Sequence, residues 1–239
     1  MSENRENLNE KLDADTSISH SSGFIKKIDN FWFHYKWPVI IGAFFLIIFI
    51  IGVVQIAARE ETDGVVAFAG PANITPNQSL AIQEDLATVM PYDNTGDGKK
   101  ITKFKVFSCY SEDDAKKIEG GVDTQQNAAN YKDFNSYFSS GECCIYFLGK
   151  DNYERMVNNG RLQSMSDIFG EDTPEGTEES GFGVKISELG IYELDSFRVL
   201  PDDTYVCLSK PLIHGESSKK DNYTHMTEFF KAIVNYSKT

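Results

Sequence analysis

CCIYFL, residues Cys143–Leu148, is apolar at every position. A strand with one wet face alternates apolar and polar residues. A strand that stays apolar throughout is buried on both faces, as in a parallel sheet covered by helices. This run therefore reads as a central strand and makes the fold class α/β.

Working back from it, Asp123 with Gln126 caps a helix that ends at Gly141, and its buried stripe is Tyr131, Phe134 and Phe138. Ile101–Tyr110 alternates Phe104 and Val106 against Lys103 and Lys105 and then turns apolar, which reads as a second strand. Thr75-Pro76-Asn77-Gln78 is a capping box with proline at the first helical position. Its helix runs to about Met90 and buries Ile82, Leu86, Val89 and Met90. Val65–Ala69, closed by Gly70, reads as the first strand.

Working forward, Asp151 with Glu154 is expected to cap a short helix ending at Gly160. Leu162, Met165 and Ile168-Phe169 follow as a compact apolar turn. Glu171–Gly183, acidic and glycine-rich, is expected as a mobile loop. Phe197–Leu200 and Tyr205–Leu208 flank Pro201-Asp202-Asp203 and read as a hairpin. A helix from Asp221 to Tyr236 buries Met226, Phe229, Phe230 and Ile233. The order β-α-β-α-β-α followed by β-β-α implies a mainly parallel sheet with helices on both faces and an added antiparallel hairpin.

Ahead of this unit lies PVIIGAFFLIIFIIGVVQIAA, Pro38–Ala58, whose only polar side chain is Gln55. As a helix it is about 31 Å long at 1.5 Å per residue, enough for a hydrocarbon core of ~30 Å. It is too long, and too far from the start, for a cleaved signal peptide. Lys26, Lys27 and Lys36 precede it, whereas Arg59 alone follows, ahead of Glu60 and Glu61. The positive-inside rule then puts the N-terminus in the cytoplasm and the C-terminal part outside. The domains expected are a disordered cytoplasmic tail (1–23), an amphipathic aromatic-basic juxtamembrane segment (24–37), a single transmembrane helix (38–58) and an extracytoplasmic α/β domain (59–239). In the second of these Phe24, Ile28, Phe31 and Tyr35 share one face. Trp32, Tyr35, Lys36 and Trp37 are its interface residues with the lipid bilayer, and Pro38 would open the spanning helix. Gly42 and Gly52 form no G-x-x-x-G pair.

Residues 59–239 carry 18 Lys and Arg against 30 Asp and Glu, a net charge of −12. Such a surface repels phosphate backbones, so no nucleic acid is expected as a partner. Residues 59–239 contain two histidines, His214 and His225, without H-E-x-x-H spacing. No G-x-S-x-G elbow, Walker A or dinucleotide fingerprint is present. No cofactor and no catalytic residue are expected. Asp93-Asn94-Thr95-Gly96-Asp97-Gly98 resembles the opening of a calcium loop, but Phe104 stands where the closing glutamate belongs. Asp93 and Asp97 are therefore weak metal candidates, and an Asp/Gly turn is the preferred reading. Gly120-Gly121 reads as linker. Cys109, Cys143, Cys144 and Cys207 all fall in expected strands. Buried free thiols are favoured, with one disulfide from Cys109 to Cys143 or Cys144 as the alternative.

In open α/β sheets ligands bind beyond the C-terminal ends of the strands. Here those loops are Gly70–Thr75, Tyr110–Asp123 and Gly149–Asp151. The candidate ligand residues are Gly70, Thr75, Tyr110 and Ser111. Glu112, Asp113, Asp114 and Glu119 at this mouth would favour a neutral or cationic solute, or a basic partner surface.

The lead-in Lys27–Trp37, the turn DNTGDGKK (Asp93–Lys100) and FSSGECCIYFLGKDNYERMVNNGRLQSMSDIFG (Phe138–Gly170) resemble a group of single-pass membrane proteins of clostridial Gram-positive bacteria. Their outer domain is similar to a lobe of extracellular solute-binding proteins, in which Gly160, Leu162 and Met165 would occupy a "g-x-l-x-x-l" turn. The resemblance implies a periplasmic-binding-protein-like single lobe, since 181 residues are short for two. It transfers no binding residue. The function expected is a membrane-anchored, non-catalytic interaction module contacting another envelope or transporter protein. The alternative is a tethered binding or sensing module for a small neutral or cationic solute.

Overall fold

The computed structural model describes residues 31–54, 62–96, 98–211 and 217–237. The chain divides into two compact units, Met1–Arg59 and Glu60–Thr239. The first contains helix α1, Phe31–Val54, which is long and apolar enough to cross a membrane, and none of its most apolar stretch is buried against protein. Pro38 does not open this helix. It lies inside a helix already formed by Phe31, where its ring removes the hydrogen bond to the His34 carbonyl. Trp32, Tyr35 and Trp37 are exposed, and the Lys36 ammonium lies 5.9 Å from the Phe33 ring centre. The tail 1–23 and residues 55–58 of the expected span lie outside the described residues.

The second unit is α/β around a mixed five-stranded sheet of order β2-β1-β3-β5-β4. Strands β1 (Gly64–Gly70), β2 (Thr102–Ser108) and β3 (Ile145–Leu148) are mutually parallel, with β1 in the middle of the three. β5 (Tyr205–Leu208) runs antiparallel to β3, and the two-residue β4 (Val184–Lys185) runs antiparallel to β5. β3 is thus the central strand, buried at all four residues, as its unbroken apolar run requires.

Alternation along the strands builds two cores. Val66, Phe68, Ile145, Phe147, Val206 and Leu208 face one side; Ala67, Ala69, Tyr146, Leu148, Tyr205 and Cys207 face the other. The first face is covered by α2 (Pro76–Val89) and α7 (Ser217–Val234), the second by α4 (Thr124–Ser140) and α5 (Lys150–Asn158). β1→β2 and β2→β3 move in opposite directions along the sheet. Right-handed crossovers must then place α2 and α4 on opposite faces, as found.

Local signals decide the helix ends. Thr75 and Gln78 exchange both bonds of the capping box. Asp123 accepts from the Gln125 and Gln126 N–H groups, and Gly141 closes α4 at φ 68°, where a Cβ would be strained.

Several expectations are corrected. The hairpin is absent: Asp195–Val199 is a 3-10 turn and β5 pairs with β3 and β4. The apolar residues Ile191, Leu194, Phe197 and Leu200 recur every three residues, and each of the last three donates its N–H to the carbonyl three back, which is the 3-10 repeat and not the strand repeat. Asp151 does not cap α5; the N-cap is Gly149, with no side-chain bond. An unexpected helix α3 (Glu112–Lys117) follows β2, the apolar turn contains helix α6 (Met165–Phe169), and α7 begins at Ser217, one turn before Asp221. The acidic stretch Glu171–Gly183 is pinned by the Thr177↔Val184 bridge and by Met165 N–H donating to Gly181. Of the cysteines only Cys207 lies in a strand, since β2 ends at Ser108 and β3 starts at Ile145. All four thiols are free.

Candidate functional site

The three parallel strands deliver their C-terminal ends side by side, with Gly70 opposite Ser108 and Ala69 opposite Leu148. Strand order reverses between β1 and β3, the position where an open α/β sheet has its crevice. Here two glycines fill it. A Cβ on Gly149 would stand 2.7 Å from Pro71 Cδ and 3.0 Å from Gly70 Cα. A Cβ on Gly70 would meet Gly149 N at 3.1 Å. The Gly149 N–H donates to Ala69 O and the Cys109 N–H to Gly70 O. The two loops are therefore in backbone contact, and side chains are excluded between them.

Beside this contact lies a polar seam under α4 and α5. Asn152 is 1 % exposed; its Nδ2 donates to Ala69 O at 3.3 Å, and its Oδ1 has no protein partner. Burial pushes the Cys109 thiol up to about 11, against the opposing pull of the Arg155 guanidinium. That thiol is protonated at neutral pH and is a poor nucleophile. Arg155 stands 4.0 Å from the Asp151 carboxylate and 5.1 Å from the Tyr131 ring centre, while the Tyr131 hydroxyl donates to Asp151. The seam holds α4, α5 and the strand ends together.

The sequence-selected ligand residues separate into two kinds. Gly70 and Tyr110 do reach the same strand ends. The Tyr110 backbone is held at both N–H and C=O by the Asn127 side chain, at 3.0 and 2.8 Å, and burial raises its hydroxyl pKa. Thr75 and Ser111 serve as caps: the Thr75 hydroxyl donates to Gln78 Oε1, and Ser111 exchanges bonds with Asp114.

The Asp93 loop is organised by carboxylates acting as acceptors. Asp93 accepts from the N–H groups of Gly96 and Gly98 and from the Thr95 hydroxyl. Asp63, 2 % exposed, accepts from the N–H groups of Asn94, Thr95 and Ile101. Asp97 lies outside the described residues. No group of three His, Cys, Asp or Glu side chains placed to hold a metal ion occurs among the described residues. Asp63 and Asn152 were both missed by sequence reasoning. A carboxylate just before an apolar strand was the available signal for Asp63; nothing local marks Asn152.

Comparison with known proteins gives no relative. No protein-family description, curated protein or solved structure matches the chain. The chemistry must be read from the surface itself. One shallow depression of about 760 Å³ runs along the outer side of α4, past Ala128, Lys132 and Ser136. A groove of about 630 Å³ separates α2 from the turn Asp195–Val199.

Proposed function

We propose that the chain is a membrane-anchored, non-catalytic interaction module, with residues 1–37 cytoplasmic and residues 59–239 outside the cell. Its α/β unit acts as a solute-binding-protein-like single lobe that contacts another envelope or transporter protein. One observation carries the preference for a macromolecular partner: Gly70 and Gly149 abut where a solute would otherwise enter between the strand ends. A lobe closed there offers its outer surface, and at net −12 that surface suits a basic partner.

Two measurements test the reading. Protease added to intact cells should remove the C-terminal unit and spare a tag at Met1; the reverse pattern refutes the orientation. A solute-library thermal-shift screen on the full chain in detergent should yield no tight hit. A tight hit weakened by Tyr110→Ala would instead establish the small-solute alternative, and turnover of any substrate would refute a non-catalytic module.

A further inference from the structure

The groove between α2 and the turn Asp195–Val199 has two kinds of lining. Ala81, Leu194 and Val199 form an apolar floor, and Glu84, Asp85 and Asp195 line its edges. The Ser196 hydroxyl donates to the Asp85 carboxylate at 2.5 Å, tying the two walls together. No lysine or arginine lines the groove. Leu80 lies four residues before Glu84, and so on the same helical face. It is 54 % exposed, the most exposed large apolar side chain described in this unit. The groove is open to solvent, so it suits a segment laid along α2 better than a solute enclosed on all sides.

We propose that this groove is the docking site for a basic amphipathic segment of a protein partner. Charge complementarity selects that occupant. Every ionisable group at the groove is an acid, within a unit of net −12. Small apolar side chains of the partner would cover Ala81, Leu194 and Val199, and its lysines or arginines would meet Glu84 and Asp195. An acidic segment would meet like charge at each of these positions. The inference rests on the interaction-module reading and gives it a surface and a partner chemistry.

The test uses the full chain in phosphatidylcholine nanodiscs and a fluorescein-labelled twelve-residue amphipathic Leu/Lys peptide, read by anisotropy. The peptide should bind, more weakly as salt rises, while the matched Leu/Glu peptide should not. Glu84→Gln with Asp195→Asn should weaken binding roughly tenfold, on the scale of close charge pairs. Glu171→Gln with Glu175→Gln removes the same charge elsewhere and should change it less than about twofold. Ala81→Trp fills the floor and should abolish binding, with its fold checked by the tyrosine near-ultraviolet spectrum. The charge pair decides the matter even if that variant fails to fold. Equal losses from the two charge pairs, unchanged binding by a folded Ala81→Trp, or no binding of the Leu/Lys peptide each overturn the groove. Competition by spermidine with the same variant pattern would also overturn it, by assigning the groove to a small cation. The first three results leave the module reading standing, because that reading is refuted by the solute screen or by turnover; spermidine competition would favour the small-cation alternative as well.

Discussion

Replacing Asp63, just before β1, should do more damage than any single change within the loop that precedes β2. The Asp63 carboxylate is 2 % exposed and accepts three backbone N–H groups, from Asn94 and Thr95 at 2.8 and 2.9 Å and from Ile101 at 2.7 Å. Its own N–H donates back to Ile101 O at 2.9 Å, so the side chain fixes both the loop and the register at the start of β1 and β2. A hydrogen bond to a charged group contributes about 1.5–3 kcal/mol net, and orphaned buried donors cost about 1–3 kcal/mol each. Asn94 is exposed and Thr95 half-buried, so water can replace part of what is lost there. Asp63→Ala is therefore expected to destabilise by about 3–5 kcal/mol. At ~2–4 °C per kcal/mol for a unit of this size, the midpoint should fall by roughly 6–20 °C. Asp93→Ala frees the exposed N–H groups of Gly96 and Gly98 and the half-buried Thr95 hydroxyl, which water can reach, and should cost about 1 kcal/mol. The assay is thermal melting of the full chain in detergent by tyrosine near-ultraviolet dichroism. Both tryptophans lie in α1, whereas ten of the eleven tyrosines lie in the α/β unit. An Asp63→Ala midpoint within about 2 °C of the parent, less than 1 kcal/mol at that conversion, would refute the assignment of Asp63 as the anchor of this loop.

Four further outcomes are expected. Gly149→Ala should destabilise by about 1–3 kcal/mol, because its Cβ would stand 2.7 Å from Pro71 Cδ; a urea midpoint equal to the parent's would mean that the two loops can separate. The Cys109 and Cys144 thiols, each pushed up to about 11 by burial, should resist iodoacetamide at pH 8 and react once urea unfolds the chain. Because these pKa values are raised on folding, their contribution is fully present below the unfolded thiol value near 8.5 and is lost as pH rises to about 11. Urea midpoints should accordingly fall across that window, and a flat profile would count against burial of both thiols. Calcium and chelator should give melting midpoints within about 1 °C of each other, equivalent to less than 1 kcal/mol, since Asp93 already accepts N–H donors; a large rise at sub-millimolar calcium would overturn that.

What the sequence determined by itself was whatever neighbouring residues settle among themselves. The capping box at Thr75, the cap at Asp123, the left-handed stop at Gly141 and the unbroken apolar run of β3 all act within a few residues. The apolar helix of the N-terminal unit was legible for the same reason. Counting β-α alternation then gave the three parallel strands and the helices on both faces, because crossover handedness leaves few options. Other features needed partners distant along the chain. The hairpin reading failed because β5 pairs with β3, some sixty residues earlier, and because a period of three was taken for a strand. Ser111 looked free to meet a ligand until α3 formed and took its hydroxyl as a cap. Gly70 and Gly149 carry no local signal for each other; only the parallel pairing of β1 with β3 brings their backbones into contact. Asp63 became an anchor only when a loop more than thirty residues away folded its N–H groups onto the carboxylate. Side-chain burial and hydrogen-bond satisfaction depend on what the folded chain places nearby, so tertiary structure alone decided which polar residues hold the fold and which remain on its surface.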